Sequence, residues 1–352
     1  MLNYIHVKNF KSILDLKLDL KALTVFTGLN SSGKSSVIQS IRMLMNQNFK
    51  SKPYIYGAGG FIESISRLSR GGEGIELKIN FNEDEYYLTL SKDSSDSDFS
   101  NVPVMFEYIS AERLGPRSTL PILDNSKITI GEKGEYSADY FLRLEDSEIH
   151  EKLAYKGIAS KLLKHQLNAW MSEISPGVNL KFDSNPKHDN SHIEIDGFRA
   201  ANTGFGISYA LPIVLSILSL TANKNDIATD KTVIDWFEDK DEKPIILIVE
   251  NPEAHLHPRG QSKLGELVGL AASCGIQIMV ETHSDHFIDG LRLAIKDNEF
   301  LNKNDYITYF LNKNDSGETE YEAITFNSDG SLSQWPEGFF DQMGINLRRL
   351  ST

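Results

Sequence analysis

Leu23-Thr24-Val25-Phe26-Thr27-Gly28-Leu29-Asn30-Ser31-Ser32-Gly33-Lys34-Ser35-Ser36 is an apolar run opening into a glycine- and serine-rich loop, and a helical pattern follows it from about Lys34 to Met45. Strand, loop and helix in that order decide how the rest of the chain reads. Gly28, Gly33, Lys34 and Ser35 satisfy the G-x-x-x-x-G-K-[ST] pattern. Glycine lets successive backbone N–H groups face one point, and the helix N-terminus adds its dipole. The lysine then meets the β- and γ-phosphates of a nucleotide, and the Ser35 hydroxyl meets magnesium. The plain alternative is a Gly/Ser turn that binds nothing, and the flanking strand and helix argue against it. The expected cofactors are ATP and Mg2+, with Asn30, Ser31, Ser32, Gly33, Lys34, Ser35 and Ser36 as binding residues and Ser35 as a metal ligand.

Upstream, Asn3 to Val7 reads as a strand, Lys8 to Ser12 as a turn, and Leu14, Leu16, Leu18 and Leu20 alternate as in a second strand. Downstream, Gly57, Gly59, Gly60, Gly71 and Gly72 mark loops. Glu76 to Phe81 and Tyr86 to Leu90 alternate like a hairpin, so an antiparallel sheet over the nucleotide site is expected. A Ser/Asp-rich run from Ser91 to Asn101 precedes an apolar strand, Val102 to Ile109, which ends in Ser110-Ala-Glu-Arg113-Leu-Gly-Pro-Arg117. Residues 137–173 have an amphipathic helical pattern whose charge reads as a solvated face. His192 to Ile195 is a short strand, and Ile207 to Leu220 an apolar helix interrupted by Pro212. The apolar strands Pro244 to Val249 and Ile276 to Val280 are each followed by a helical pattern, and such βαβα alternation implies a parallel sheet. There is no internal repeat and no sustained heptad.

The 352 residues are 40% hydrophobic, which suffices for one large domain or two modest ones. Cys274 is the only cysteine, so no internal bridge can form, and a reducing compartment, the cytoplasm, is expected. The N-terminus lacks the pattern of an export signal. Ile207 to Leu220 is too short to span a bilayer, so no membrane association is expected. The formal net charge of -13 disfavours nucleic-acid phosphates without a local basic patch, and weakly favours a protein partner.

Ile245-Ile-Leu-Ile-Val-Glu250-Asn251-Pro252-Glu253 delivers carboxylates at a strand's C-terminal end, where ligands of parallel sheets bind. This is the Walker B shape. Glu250 stands where an acid holds the magnesium shell, and Glu253 is the next carboxylate able to orient or deprotonate water. An apolar strand ending in an acid is common, and the phosphate loop is what gives this one its meaning. Ile276 to Val280 ends in Glu281-Thr-His283-Ser-Asp285, where a histidine beside small hydroxyls can sense a γ-phosphate. A histidine at a strand end is otherwise an ordinary surface or packed residue. His255, His257, His283, Asp285 and His286 are also conceivable transition-metal ligands. Arg113 and Arg117 either reach phosphate or a partner, or form surface or core ion pairs.

These motifs in this order resemble the ABC-ATPase heads of the RecF, SMC and OLD (overcoming lysogenization defect) group. Asn202-Thr-Gly204-Phe-Gly206-Ile-Ser208 looks like a degenerate form of that group's signature, which closes over the γ-phosphate bound to the other subunit. Gly204, Gly206 and Ser208 are thereby nucleotide-contacting candidates, and His255 to Pro258 match the D-loop at a dimer seam. Glu250-Asn-Pro-Glu-Ala-His-Leu-His-Pro258, Tyr108-Ile-Ser-Ala-Glu-Arg113 and Gln334-Trp-Pro-Glu-Gly-Phe339 resemble most closely the OLD-like ATPases of bacterial anti-phage defence. The fold implied is α/β: a P-loop parallel sheet flanked by helices, with an antiparallel β subdomain and a helical insertion. It would form a single domain over 1–352, with a P-loop lobe 1–135, an insertion 136–190, and a lobe 191–352 carrying signature, Walker B and histidine.

The function implied is a Mg2+-dependent ATPase that homodimerises around ATP and regulates a protein effector from a neighbouring gene. The alternative is a RecF/SMC-like ATPase that clamps DNA, which the acidic charge and missing arms disfavour; a transporter subunit would need a regular signature. No nuclease motif or Toprim-like acidic cluster is recognisable, so effector chemistry is expected in another polypeptide. The sequence departs from the family where the usual second acid after the Walker B strand is Asn251, which cannot take a proton. Either Glu253 acts as base, or hydrolysis is slow and the protein is chiefly an ATP-dependent clamp. No Q-loop glutamine stands out.

Overall fold

The computed structural model describes residues 1–45, 61–69, 74–92, 95–97, 103–124, 127–224 and 230–351. In chain order, β1 (Leu2–Phe10), β2 (Ile13–Asp19) and β3 (Leu23–Gly28) lead to α1 (Lys34–Met45), the single turn α2 (Phe61–Ser64), β4 (Ile75–Phe81), β5 (Asp84–Leu90) and β6 (Ser95–Ser97). Next come β7 (Met105–Ile109), β8 (Leu120–Pro121), α3 (Ser137–Leu144), α4 (Leu163–Ile174), β9 (Leu180–Asn185), β10 (Asn190–Ile195), β11 (Phe198–Arg199), α5 (Phe205–Leu220) and α6 (Lys231–Glu242). Then follow β12 (Ile245–Glu250), α7 (Pro258–Ala271), β13 (Ile276–Glu281), α8 (Asp285–Asp297), β14 (Tyr306–Lys313), β15 (Thr319–Ile324) and α9 (Gln342–Leu350). They form two compact units: Met1–Pro103 with Lys303–Asn327 and Ser331–Thr352, and Val104–Asn302 with Ser328–Gly330.

In the first unit an antiparallel sheet runs β2-β1-β4-β5-β6. Leu16 and Leu18 on β2 and Leu77 and Ile79 on β4 are buried, while Asp15, Lys17 and Asp19 stay exposed, the period of two that one covered face demands. α1 packs on β1 and β4. It buries Val37, Ile38, Ile41 and Leu44, one helical face. β3 is buried along all but its last residue, Thr24 and Thr27 included, and it pairs in parallel with β14, Gly28 opposite Leu311. β14 continues antiparallel to β15.

In the second unit β12 lies between β7 and β13, all three parallel, with Ile245 opposite Met105 and Ile276. β12 returns to β13 through α7, as βαβα alternation implies, whereas the path from β7 to β12 also carries β8 to β11. A smaller antiparallel sheet joins β11, β10, β9 and β8. α5 is buried almost continuously from Ala210 to Leu220 and accommodates Pro212 in its interior.

The structure corrects some expectations. β1 continues to Phe10, which pairs with Ile13, so only Lys11 and Ser12 turn. Lys8 belongs to the sheet, where its ammonium lies 3.7 Å from Asp15 and 3.9 Å from Glu76. The helical pattern over 137–173 is divided into α3 and α4 by a segment that includes a 3-10 turn at Glu151–Leu153 and Gly157 at φ +96°. β9, α6, β14 and β15 were not read from the sequence. Val102 and the glycines Gly57, Gly59, Gly60, Gly71 and Gly72 lie outside the described residues. Among the described residues no helix is long and apolar enough to cross a membrane.

Candidate nucleotide-binding site

The loop after β3 has the backbone its glycines predict. Gly28 is at φ +140° and Gly33 at +112°, and a Cβ on Gly33 would lie 2.5 Å from the Thr319 hydroxyl. Ser31 also has positive φ, at 64°. Lys34 is 3% exposed and folds over the loop, its ammonium donating to the carbonyls of Gly28 at 3.0 Å and Leu29 at 2.8 Å. Thr319, at the start of β15, donates from its hydroxyl to the Ser32 carbonyl at 3.0 Å, and its own N–H donates to the Ser12 carbonyl at 2.9 Å. The Ser12 and Thr319 hydroxyls are 2.7 Å apart.

A cavity of about 270 Å³ opens on this loop, lined by Lys11, Ser12, Ser31 to Ser36 and Lys313. Its charged lining residues are three lysines, with no carboxylate. The Ser32 hydroxyl is buried and has no hydrogen-bond partner among the described residues, a donor left over for a ligand. Burial lowers the pKa of Lys11, whose ammonium donates to Gln39. Hydroxyls, lysines and the N-terminus of α1 converge on one concavity, which is the donor set for a polyanion such as a nucleotide's phosphates. Ser35 is an exposed member of the cavity lining, whereas Asn30 is exposed outside it. Ser12, Thr319, Lys11 and Lys313 were missed by sequence reasoning. Only the positive φ at Asn9 (56°) and Lys11 (53°) distinguishes that turn, and no sequence pattern announces it.

In the second unit Glu250 ends β12, in register with Glu281 at the end of β13. Its carboxylate lies 3.4 Å from the N–H of Ala111. The chain then turns sharply: Asn251 is at φ 45° and His255 at 63°, and the Asn251 N–H donates to the Glu281 carbonyl at 2.8 Å. Glu253 reaches back, accepting the Thr282 hydroxyl at 2.8 Å and the His283 N–H at 2.7 Å. The His283 side chain is exposed beside it, ahead of α8, whose N-cap Ser284 accepts from Phe287 N–H at 2.9 Å. Glu250, Glu253 and His283 therefore lie at the C-terminal ends of two adjacent parallel strands.

Arg113 is buried under this edge. Its guanidinium donates to the carbonyls of Ser110 at 2.9 Å, Glu250 at 2.6 Å and Asn251 at 2.6 Å, so it is neither a surface ion-pairing residue nor aimed at solvent. Arg117 instead lines a cavity of about 30 Å³ with Ser137 and Ser208. Gly204 is the exposed N-cap of α5, and a Cβ there would meet nothing within 4 Å. Gly206 is pressed on the turn below, since its Cβ would fall 2.7 Å from the His255 carbonyl oxygen. Ser208, facing the small cavity, is half-buried. The three signature candidates thus share the start of α5, where Gly204 is exposed and Gly206 and Ser208 are half-buried. Among the described residues no group of three or more His, Cys, Asp or Glu is placed to hold a metal ion.

The family model described as AAA ATPase domain matches residues 1–199 and 164–288. The chain belongs to the AAA ATPase domain family. Residues 301–350 match a second model, described as a protein of unknown function (DUF3696). No curated protein matches the chain. Among solved structures, the ATPase is similar to an SMC head domain with an extended coiled coil bound to the C-terminal domain of ScpA, derived from Pyrococcus furiosus. The TM-score is 0.54 at 11% identity, over 100% of each chain. It is also similar to an SMC head bound to the C-winged helix domain of ScpA, with a TM-score of 0.51 at 13% identity over 92% of this chain and 97% of that one. A RecF–ATP structure aligns at 0.46, with 13% identity over 92% and 99% of the two chains. At such identities the likeness to SMC heads is one of fold, and it matches the expected α/β head with parallel and antiparallel sheets.

Proposed function

We propose that this ATPase binds Mg–ATP at the loop Asn30 to Ser36, pairs with a second copy around the nucleotide, and hydrolyses it to control a protein effector, in the setting of OLD-like bacterial anti-phage defence. The observation that carries the reading is the loop itself: a buried lysine, serine hydroxyls and a helix N-terminus line a cavity free of carboxylates. Lys34 neutralises the phosphates, and Ser35 and Glu250 are the magnesium ligands. Bound magnesium would polarise the γ-phosphoryl oxygens. His283 contacts the γ-phosphate, and Glu253 orients or deprotonates water. Two acceptor positions of Glu253 are taken by Thr282 and His283, and a carboxylate has further lone pairs for a water. Gly204, Gly206 and Ser208 act on the nucleotide of the other copy, as the family resemblance implies; the SMC heads whose fold the chain shares are solved with a ScpA domain bound, which supports a protein partner here.

ATP-dependent pairing is measured by light scattering with and without Mg–ATP, together with phosphate release. A chain that releases no phosphate and stays monomeric at saturating ATP refutes the reading. Co-purification with the product of an adjacent gene, with and without ATP, tests the effector. The second reading, an SMC- or RecF-like clamp on DNA, is favoured by the fold and opposed by the net charge of -13. ATP-dependent retention of duplex DNA at physiological salt would establish it.

A further inference from the structure

Arg113 is 3% exposed, yet it ends no conventional ion pair in the described hydrogen bonds: its terminal nitrogens donate to three main-chain carbonyls, two of them consecutive. The consecutive pair, Glu250 and Asn251, occurs where the chain leaves β12 through a residue at φ 45°. A planar fork of donors holds these two consecutive carbonyls at once. A lysine ammonium cannot reproduce that spacing. The arrangement is costly for the guanidinium. Its Nε–H is buried without a partner among the described residues, and burial pushes the pKa down to about 10, with Tyr209, Glu253 and Glu250 pulling back the other way. A side chain placed for its own satisfaction would not leave a donor orphaned.

The other face of the guanidinium carries α5. Its central carbon lies 5.0 Å from the centroid of the Tyr209 ring. Tyr209 meets the His255 ring edge-on at 4.6 Å, Phe205 lies 5.3 Å from the same ring, and Gly206 touches the His255 carbonyl. One buried cation therefore contacts both the 250–251 turn and the helix whose N-terminus is Gly204.

We propose that Arg113 is a positioning residue that fixes the Glu250–Asn251 turn and the first turns of α5 to one another, so that the metal-binding carboxylate and the phosphate-facing helix end are set by a single guanidinium. This rests on the function proposed above for Glu250 and for α5, and the test separates the two. Full-length wild type, Arg113→Lys, Arg113→Met and Tyr209→Leu are compared first without nucleotide, by hydrogen exchange. In Arg113→Met and Arg113→Lys, amides of 251–256 and of 205–210 should both exchange faster while β3, α1 and α8 keep wild-type protection. Tyr209→Leu should loosen 205–210 more than 251–256. With Mg–ATP, kcat of both Arg113 variants should fall by about tenfold or more, as misplacement of a reacting group does. The ATP Kd should stay within about twofold, because the Lys34 loop is untouched.

Unchanged exchange in both segments overturns the proposal. So does loss of protection throughout the second unit, which would make Arg113 a general core residue. Full kcat in Arg113→Lys also overturns it, since charge without the fork would then suffice. If wild type shows no turnover at all, the ATPase reading falls, and the nucleotide-free exchange still decides the role of Arg113.

Discussion

Glu253 holds the backbone of His283: its Oε1 accepts the His283 N–H at 2.7 Å while Oε2 accepts the neighbouring Thr282 hydroxyl at 2.8 Å. The carboxylate and the backbone of the histidine are thus tied by a hydrogen bond. Glu253→Gln keeps one carbonyl oxygen for the His283 N–H and cannot take a proton. Phosphate release should fall by about a hundredfold while ATP binding survives and an ATP-bound dimer accumulates. Asn251→Ala should lower turnover less. Turnover assays with sizing in ATP check both, and a more severe loss in Asn251→Ala would move the base from Glu253.

The carbonyls of Gly28 and Leu29 hold the Lys34 ammonium over its loop, in the concavity lined by the serine hydroxyls. Lys34→Ala should weaken ATP by about 10- to 100-fold, the loss of one charge-assisted contact worth about 1.5–3 kcal/mol. Calorimetry with ATP measures it, and unchanged affinity would remove the loop from the site.

Two copies are required if α5 of one serves the nucleotide of the other. Ser208 is a poor position for a blocking side chain, because it faces the small cavity shared with Arg117 and Ser137. Gly204 is the better one, open to solvent with no atom near a new Cβ. Gly204→Asp and Lys34→Ala homodimers should each be inactive. Mixed, they yield dimers with one site carrying both lesions and one carrying neither, and part of the phosphate release should return. No recovery in verified mixed dimers would place each site within one chain.

Glu107 on β7 is buried, and burial pushes its carboxyl up to about 7, partly offset by Lys127 and by the hydrogen bond from Thr129. The native state therefore holds this proton more tightly than the unfolded chain does. Its contribution to stability is complete below the unfolded value near 4.5 and is lost as pH rises through about 7. Glu107→Gln stays neutral, so its melting temperature should match wild type near pH 4.5 and exceed it by a few degrees at about pH 8. Parallel melting curves across pH check this, and a constant offset would contradict it.

The loop from Gly28 to Ser35 was legible because its shape follows from local rules: glycines at the turns, a lysine and a hydroxyl at the helix start, and α1 begins at Lys34 and ends at Met45 as its apolar spacing implies. The strands β12 and β13 were legible because they are buried almost throughout and so read as runs dominated by Ile, Leu, Met and Val. What the sequence could not show depends on contacts between distant segments. Thr319 against Gly33, Thr282 under Glu253 and Arg113 beneath the Glu250 carbonyl are each brought together by the fold, and none sits in a motif of its own for that contact. α6, with exposed acids along most of its length, and β15, with a largely exposed middle, lack the continuous apolar signal that revealed the others.

Thr319 has a further consequence in time. It closes on Ser32 and Gly33 from a strand 287 positions after Ser32 in the chain. A ribosome adding about 5–20 residues per second needs about 15–60 s to cover that distance. Throughout that interval the loop's glycines, its lysine and its helix already exist while the wall that fixes Gly33 does not. A nascent chain halted before β15 would therefore carry a complete nucleotide motif and no finished pocket, so the growing polypeptide would acquire its ligand only after the later strands emerge.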